Sequence, residues 1–335
     1  MQVDQVRRTI LGFAAMTAAA EFAPVVGSSE ARAATPVALP PLRHIQAGLL
    51  DIAYAEFGPP DGQVAILLHG WPYDIWSFAE AGPALAAQGY RVIAPYVRGY
   101  GPTRFLSADT VRNGQPSVVA LDTLTMMDSL GIRSAVLAGF DWGARSADII
   151  AALWPERCKG LVSVSGYLIG SQASGMVPLP PDQELQWWYQ FYFATDRGKA
   201  GYEKNRHDFN QLIWRLASPK WGFNDATYER TAAAFDNPDH VDIVIHDYRW
   251  RQGLAPGEAK YDDIEAKLAA APVIGVPTIT MEGDANGAPH PPPAAYRSKF
   301  VGRYEHRNVG VGVGHNLPQE APQAFVKAIV DVTAT

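Results

Sequence analysis

The stretch that decides the fold is GFDWGA, residues 139–144. It follows an apolar run at residues 134–138 that predicts a buried strand, and residues 145–153 after it predict a helix. A strand, a sharp turn flanked by glycines and a helix usually form the motif G-x-S-x-G, whose middle residue is a serine nucleophile. Here the middle residue is Asp141. The motif therefore predicts a carboxylate presented at the end of a strand.

Short apolar runs alternate with helix-like segments on both sides of this motif. Strands are predicted at residues 49–57, 64–68, 91–95, 161–165, 276–281 and 303–309, and helices at residues 78–87, 118–130 and 321–332. This alternation indicates a mostly parallel sheet wrapped by helices on both faces, which is an α/β fold. We expect residues 49–57 to belong to a hairpin whose turn is the stretch 58–62, rich in glycine and proline.

A helix-like segment, residues 168–257, interrupts the alternation and is crowded with aromatic side chains. Because the strand pattern resumes after it, we expect one core, residues 36–167 and 258–335, with this segment inserted as a helical cap, or lid. The cap would cover the carboxyl ends of the strands, where open α/β sheets bind their ligands.

The composition narrows the classes of function. The 335 residues are 47% hydrophobic and carry a net charge of −6 without a basic stripe, so nucleic acid is not an expected partner. Cys158 is the single cysteine, which excludes an intrachain disulfide and a cysteine-based zinc site. The histidines show no metal-ligand spacing, and neither a metal nor an organic cofactor is expected.

Residues 1–35 are predicted to be an export signal. The stretch VRRTIL, residues 6–11, resembles a twin-arginine motif, and a weakly apolar stretch follows it. ARA, residues 31–33, has the pattern of a cleavage site. Glu21 interrupts the apolar stretch, so we expect no membrane span, since one needs about 20 apolar residues. These features predict a periplasmic or secreted bacterial protein.

Three residues follow the predicted strands in a fixed order: Asp141, Asp284 and His315. A nucleophile, an acid and a histidine in this order are typical of the α/β-hydrolase triad. On these motifs, residues 40–335 resemble the α/β-hydrolases, and among them the epoxide hydrolases. The resemblance implies that Asp284 orients His315 and that His315 activates water. It also implies that the backbone N–H groups of Trp71 and Trp142 form an oxyanion hole.

The carboxylate of Asp141 indicates which bond is attacked. With a reference pKa of about 3.9, an aspartate is charged at neutral pH and needs no base for its attack. Attack on an ester carbonyl would give a reactive anhydride, whereas attack on a saturated carbon gives an ordinary ester that water can hydrolyse. The aspartate therefore favours an epoxide or an alkyl halide as substrate, with water as the second substrate.

Two tyrosines favour the epoxide. An opening epoxide becomes a basic alkoxide, which needs proton donors such as phenols. The stretches WYQFYF, residues 188–193, and DYRW, residues 247–250, resemble the segments in which epoxide hydrolases carry two such tyrosines, here Tyr189 and Tyr248. Trp188 and Phe140 are predicted to line the pocket. The aromatic cap indicates a small hydrophobic substrate.

A haloalkane or haloacetate dehalogenase acting through the same ester is the first alternative. Phe140 stands where many epoxide hydrolases carry histidine, and Trp142 stands where haloalkane dehalogenases offer an indole N–H to the halide. Arg145 stands where fluoroacetate dehalogenases bind a carboxylate. Those enzymes also carry arginine directly after the nucleophile, where this chain has Trp142. We therefore expect Arg145 to be a surface or ion-paired residue.

A catalytically idle binding protein on the same scaffold is the second alternative, because a fold does not fix a function. Each site residue also has a structural interpretation. Asp141 is a suitable helix N-cap, and Asp284 a suitable turn residue. We expect His69 to support the turn that follows it and not to act as a base.

Overall fold

The computed structural model describes residues 38–334, so the predicted export signal lies outside the described part of the chain. A nine-stranded sheet forms the centre of these residues. Its strands are β1 (Arg43–Ala47), β2 (Leu50–Phe57), β3 (Gln63–Leu68), β4 (Tyr90–Pro95), β5 (Arg104–Phe105), β6 (Ala135–Gly139), β7 (Cys158–Val164), β8 (Thr278–Gly283) and β9 (Tyr304–Val309). Each predicted strand is confirmed within a few residues, whereas the sequence did not predict β1 or the short β5.

The strand order is β1-β2-β4-β3-β6-β7-β8-β9, with β5 beside β2. Neighbouring strands along β4-β3-β6-β7-β8-β9 pair in parallel, and β2 pairs antiparallel with β1, β4 and β5. The mostly parallel sheet is thus confirmed. The hairpin predicted around residues 58–62 is wrong, because β2 forms its hairpin with β1, and residues 58–62 lead to β3 on the far side of β4. A turn signal in the sequence does not show whether the two strands on either side of the turn pair with each other.

The helices are α1 (Ala81–Ala86), α2 (Pro116–Ser129), α3 (Trp142–Leu153), α4 (Gln172–Gly175), α5 (Pro181–Gln186), α6 (Trp188–Ala194), α7 (Asp196–Ala217), α8 (Asp225–Ala232), α9 (His240–Arg251), α10 (Asp262–Ala269), α11 (Pro293–Tyr296), α12 (Leu317–Glu320) and α13 (Pro322–Thr333). Within residues 38–334, none of the helices has the length and apolar character needed to cross a membrane.

Helices cover both faces of the sheet. The apolar side chains of α1 and α13 belong to one buried cluster, and most of those of α2 and α3 belong to a second cluster. Burial of apolar area contributes about 25 cal/mol per Å², so these two clusters are the main source of stability. The sheet between them holds the strand ends in fixed positions.

The helices α4 to α9 lie between β7 and β8, in the segment predicted to form the cap. Their aromatic side chains pack onto the turn after β3. The Trp214 ring stacks on Tyr73 with centroids 4.9 Å apart, and the Tyr189 ring lies 5.0 Å from that of Trp71. The cap helices are therefore anchored on a loop at the carboxyl end of the sheet.

Candidate active site

Asp141 lies in a strained turn between β6 and α3. Its φ of 53° and ψ of −124° are unusual for a residue with a side chain, and such a conformation costs on the order of 1–3 kcal/mol. The flanking glycines make the turn sterically possible, since a Cβ atom at Gly143 would lie 1.9 Å from the carbonyl oxygen of Leu68. The Asp141 side chain makes no capping hydrogen bond to α3, which argues against the N-cap interpretation.

The carboxylate of Asp141 contacts groups from two other loops. The backbone N–H of Trp71 donates to Oδ1 at 2.8 Å, and Nε2 of His315 lies 3.6 Å from Oδ2. Burial is the largest influence on the pKa of Asp141 and raises it. The pKa of Asp141 is nevertheless lowered, because the stabilisation of its charged form by His315, Arg145 and the Trp142 N–H is larger than the effect of burial. The carboxylate is therefore ionised at neutral pH, as a nucleophile requires.

The turn after β3 brings the Trp71 N–H to this carboxylate. Gly70 allows the close approach, because a Cβ atom there would lie 2.3 Å from Oδ1 of Asp141. His69 is fully buried, and its Nδ1 bonds the carbonyl of Gly70 while Nε2 accepts the N–H of Val97. Burial lowers the pKa of His69 to about 4, so its ring is neutral and supports the turn, as predicted. The Trp71 N–H thus bonds the carboxylate of Asp141, and the Trp142 N–H lowers the pKa of the same group.

Asp284 does not contact His315, which corrects the predicted acid–histidine pair. Nδ1 of His315 is buried without a hydrogen-bond partner among residues 38–334. The carboxylate of Asp284 instead accepts the backbone N–H groups of Val311, Gly312 and Val313 at 2.8–3.1 Å. Asp284 is exposed, and its bonds hold the loop between β9 and His315.

Two residues that sequence reasoning missed hold the backbone around His315. The N–H of His315 donates to Oγ of Ser218, which lies at the end of the cap helix α7. Ser218 in turn donates to Glu320 at 2.6 Å, and Glu320 accepts the N–H groups of Gly314 and Asn316. Ser218 lies 102 residues before Glu320 and 97 residues before His315, so no local motif could have indicated its role.

The two predicted tyrosines line the same cavity as Asp141 and His315, and the cavity volume is about 620 Å³. The Tyr189 and Tyr248 rings meet edge to face with centroids 5.4 Å apart. Burial, followed by the charge of Asp141, raises the pKa of Tyr189 to about 12. Burial also raises the pKa of Tyr248. Both phenols therefore keep their protons at neutral pH.

The predicted pocket residues Phe140 and Trp188 are not part of the cavity lining, which corrects that prediction. Phe140 is fully buried beneath the turn, where its ring packs against Tyr73 and Phe78. Trp188 packs against Phe209 of the cap. Two other tryptophans line the cavity, Trp250 and Trp187, the residue before Trp188 in the chain.

Two arginines line the cavity, Arg145 from α3 and Arg251 from the end of α9. The expectation that Arg145 would be a surface or ion-paired residue is wrong. It is partly buried, and no carboxylate of residues 38–334 lies within 4 Å of its guanidinium, although the charges of Asp247 and Asp141 act on it. Arg251 was not singled out in the sequence. Its Nη1 lies 3.8 Å from Oδ2 of Asp247, a distance too long for a hydrogen bond.

No group of three or more histidine, cysteine, aspartate or glutamate side chains among residues 38–334 is arranged to hold a metal ion.

Comparison with known proteins places the chain in a family. The sequence model of the alpha/beta hydrolase fold matches residues 64–208. A solved structure of a candidate epoxide hydrolase from Klebsiella pneumoniae is 65% identical, covers 87% of this chain and 97% of its own, and superposes with a TM-score of 0.87. The chain belongs to the epoxide-hydrolase-like α/β-hydrolases.

Two curated relatives that are named epoxide hydrolases support this assignment. Epoxide hydrolase B of Mycobacterium tuberculosis is 36% identical over 157 residues, which are 42% of this chain and 43% of the relative. Epoxide hydrolase A of the same organism is 26% identical over 87% of this chain and 97% of its own length. The first of these matches thus spans less than half the length of the relative.

For this α/β-hydrolase, an Asp284→Asn variant tests the corrected role of that residue. We expect kcat/KM to fall less than about tenfold, because a triad acid would cost on the order of 10⁴-fold. The free energy of unfolding should fall by about 1 kcal/mol, since the amide accepts the three backbone N–H groups less well. Steady-state kinetics and urea unfolding measure the two effects. A loss of 10³-fold or more in kcat/KM, with unchanged stability, would show that Asp284 acts as the triad acid after all.

Proposed function

We propose that the chain hydrolyses an epoxide to a vicinal diol through a covalent alkyl ester on Asp141. The observation that carries the proposal is that Asp141, His315, Tyr189 and Tyr248 all line the same cavity. An ionised carboxylate and two protonated phenols supply the nucleophile and the proton donors that ring opening needs.

In the first step, one oxygen of Asp141 attacks an epoxide carbon, and the bond between that carbon and the ring oxygen breaks. The ring oxygen leaves with the bonding electrons and takes a proton from Tyr189 or Tyr248. An alkoxide is a stronger base than a phenolate, so this transfer is favourable even though burial raises the pKa of Tyr189 to about 12. The product of this step is a hydroxyalkyl ester of Asp141.

In the second step, water attacks the carbonyl carbon of the ester. His315 takes a proton from the water, and the N–H groups of Trp71 and Trp142 stabilise the oxyanion that forms. The acyl bond then breaks, and the alkoxide oxygen of the leaving diol takes the proton from His315. The carboxylic acid proton of Asp141 returns to the phenolate formed in the first step, so Asp141 is regenerated as a carboxylate. Trp71 N–H already bonds Oδ1 at 2.8 Å, so this donor needs no rearrangement to act.

A Tyr189→Phe, Tyr248→Phe double variant tests the first step. We expect the rate of ring opening to fall by about 10²–10⁴-fold, the usual contribution of a general acid. Each single variant should lose less, because the other phenol remains. The measurement is diol formation from styrene oxide under single-turnover conditions.

Tyr192→Phe is the matched control for these variants. Tyr192 lies on the same helix as Tyr189, but its ring stacks on Phe209, and it does not line the cavity. Its removal should leave diol formation unchanged. Wild-type rates in the double variant would remove both phenols from the mechanism.

Dehalogenation by the same ester is the second candidate, and one observation favours it. Nε1 of Trp142 is buried without a hydrogen-bond partner in the described part of the chain, as a halide donor would be. However, Trp142 is not among the residues that line the cavity, and the indole of Trp71 already donates to Tyr202 at 2.9 Å. Incubation with a bromoalkane separates the two candidates. Bromide release without any diol from styrene oxide would establish the dehalogenase.

The chain is also proposed to be exported by the twin-arginine route, on the sequence of residues 6–11 and 31–33. An Arg7→Lys, Arg8→Lys double variant should then accumulate in the cytoplasm of a bacterium with this route, whereas the wild-type chain should reach the periplasm in a shortened form. Cell fractionation and the mass of the periplasmic protein measure this. A full-length wild-type chain retained in the cytoplasm would contradict the proposal.

A further inference from the structure

His315 lies beside Asp141 without the side-chain support that a triad acid would supply. Its Nε2 is 3.6 Å from Oδ2 of Asp141, whereas its buried Nδ1 has no hydrogen-bond partner among residues 38–334. In a triad, a carboxylate at Nδ1 orients the ring and stabilises the imidazolium that forms during catalysis. Asp284 bonds the loop at residues 311–313 instead. Both tasks therefore fall to other groups.

Glu320 binds the backbone on both sides of His315. Its Oε2 accepts the N–H of Gly314 at 2.7 Å, and its Oε1 accepts the N–H of Asn316 at 3.1 Å. Burial raises the pKa of Glu320, although its hydrogen-bond donors and the nearby charge of His315 act in the opposite direction. Because every one of these contacts donates to a Glu320 oxygen, the arrangement is that of an ionised carboxylate.

Ser218 completes this support from the cap. It directly follows α7 and is buried, and its Oγ accepts the N–H of His315 at 2.9 Å while it donates to Oε1 of Glu320 at 2.6 Å. Gly314 allows this close approach, because a Cβ atom there would lie 2.5 Å from Oγ of Ser218. The N–H groups of three consecutive residues, 314–316, are thus bound by one carboxylate and one hydroxyl. The position of His315 depends on the cap as well as on the core.

The ester intermediate makes the charge of Glu320 important. In the free site Asp141 carries a charge beside His315, but an ester at Asp141 is neutral. When His315 then takes a proton from water, its imidazolium is stabilised by a nearby negative charge. The Glu320 charge is present at this stage. The ring of Tyr73 lies 5.9 Å from that of His315, but burial raises the pKa of Tyr73, so its hydroxyl stays neutral.

We propose that Ser218 and Glu320 are positioning residues for the hydrolysis of the ester, and that Glu320 supplies the negative charge that a triad acid would supply. This inference rests on the proposed epoxide hydrolysis. Neither residue lines the cavity, so both act through His315 and not on the substrate. The first step uses the carboxylate of Asp141 and the phenols, and it should not need them.

A Ser218→Ala variant tests the support from the cap. After rapid mixing with styrene oxide, intact-protein mass spectrometry follows the rise and decay of the ester. We expect the rise to be unchanged and the decay to be about tenfold slower, the effect of one lost hydrogen bond. The fraction of esterified protein during turnover should therefore increase. A rise and a decay that slow equally would indicate a general disturbance of the site and overturn the inference.

Thr231→Val is the matched control. Thr231 lies on the cap helix α8, and its buried hydroxyl donates to Oδ1 of Asp74 in the core at 2.9 Å. The control thus removes another buried hydrogen bond between cap and core without touching residues 314–316. Both phases should keep their wild-type rates. A tenfold slower decay in Thr231→Val would mean that any loosening of the cap has this effect, which would also overturn the role of Ser218.

A Glu320→Gln variant tests the charge, because it keeps the size of the side chain. We expect the decay of the ester to slow by about 10–100-fold, the range of a charge-assisted contact. Without substrate, the titration midpoint of the His315 ring, followed by nuclear magnetic resonance, should move to lower pH by about 0.5–1 unit, since the imidazolium loses a neighbouring carboxylate. The signal is assigned by its loss in His315→Gln. An unchanged midpoint would overturn the electrostatic role of Glu320.

The outcomes separate this inference from the proposed function. If the wild-type protein forms diol from styrene oxide, and Ser218→Ala and Glu320→Gln hydrolyse the ester at the wild-type rate, the inference is overturned and the epoxide hydrolase stands. If the wild-type protein forms neither ester nor diol from any epoxide, the proposed function fails. The titration of His315, which needs no turnover, then decides alone whether Glu320 supports it.

Discussion

Replacing Asp141 with serine is expected to lower kcat/KM for epoxide hydrolysis by about 10⁴-fold or more. A serine hydroxyl is protonated at neutral pH, so it needs a base in order to attack. In the proposed mechanism His315 acts only in the second step, and no base acts in the first. The shorter side chain also ends further from the cavity. Diol formation from styrene oxide measures the loss, and far-UV circular dichroism checks that the variant is folded.

The wild-type protein supplies the matching measurement for Asp141. In a single turnover in heavy-oxygen water, the label should enter the carboxylate of Asp141 and not the diol, because water attacks the acyl carbon of the ester. Mass spectrometry of the peptide that contains Asp141 detects the label. Label in the diol from the first turnover, with none in the peptide, would mean that water opens the ring directly.

The sequence predicts the position of Asp141 well because the constraints on it are local. The turn between β6 and α3 needs small residues at Gly139 and Gly143, where added Cβ atoms would meet backbone atoms at 1.9–2.6 Å. An apolar run before the turn and a helix after it complete the pattern. The strand, the glycines and the helix all lie within about twenty residues of one segment, so the pattern can be recognised in the sequence, although the reason for Gly143 is its contact with Leu68 of β3.

The role of Asp284 could not be predicted in the same way. Its place after β8 agrees with the chain order of the triad, but an aspartate after a strand can face either a histidine or the backbone of a loop. Here the loop at residues 311–313 presents three N–H groups to it. The direction of those groups depends on the dihedral angles of the loop, which include positive φ values at Val311 and Gly312.

The lining of the cavity was also beyond sequence reasoning, because it depends on how the cap helices are rotated over the core. Trp187, between α5 and α6, lines the cavity, whereas the next residue, Trp188, does not. The burial of Arg145 has a similar origin. Its Nε bonds a carbonyl 23 residues further along the chain, in the loop after β7. Contacts between segments that are distant in the sequence cannot be predicted from a local sequence pattern.

A His315→Gln variant is expected to trap the covalent ester on Asp141. The first step uses only the carboxylate and the phenols, so it should proceed, whereas the second step loses its base. Steady-state turnover should fall by about 10²–10⁴-fold, the usual contribution of a general base. Intact-protein mass spectrometry after incubation with styrene oxide should show one added substrate mass, and peptide mapping should locate it on Asp141.

The control for this experiment is His306→Gln, since His306 lies on β9 and bonds Thr280, away from the cavity. That variant should turn over normally and accumulate no adduct. The trapped ester also discriminates among the three hypotheses for the chain. A bromoalkane that gives the adduct when epoxides do not would favour dehalogenation. No adduct from either class, in a variant that remains folded, would favour a binding protein, because nucleophilic attack by Asp141 is the one step that both enzymes share.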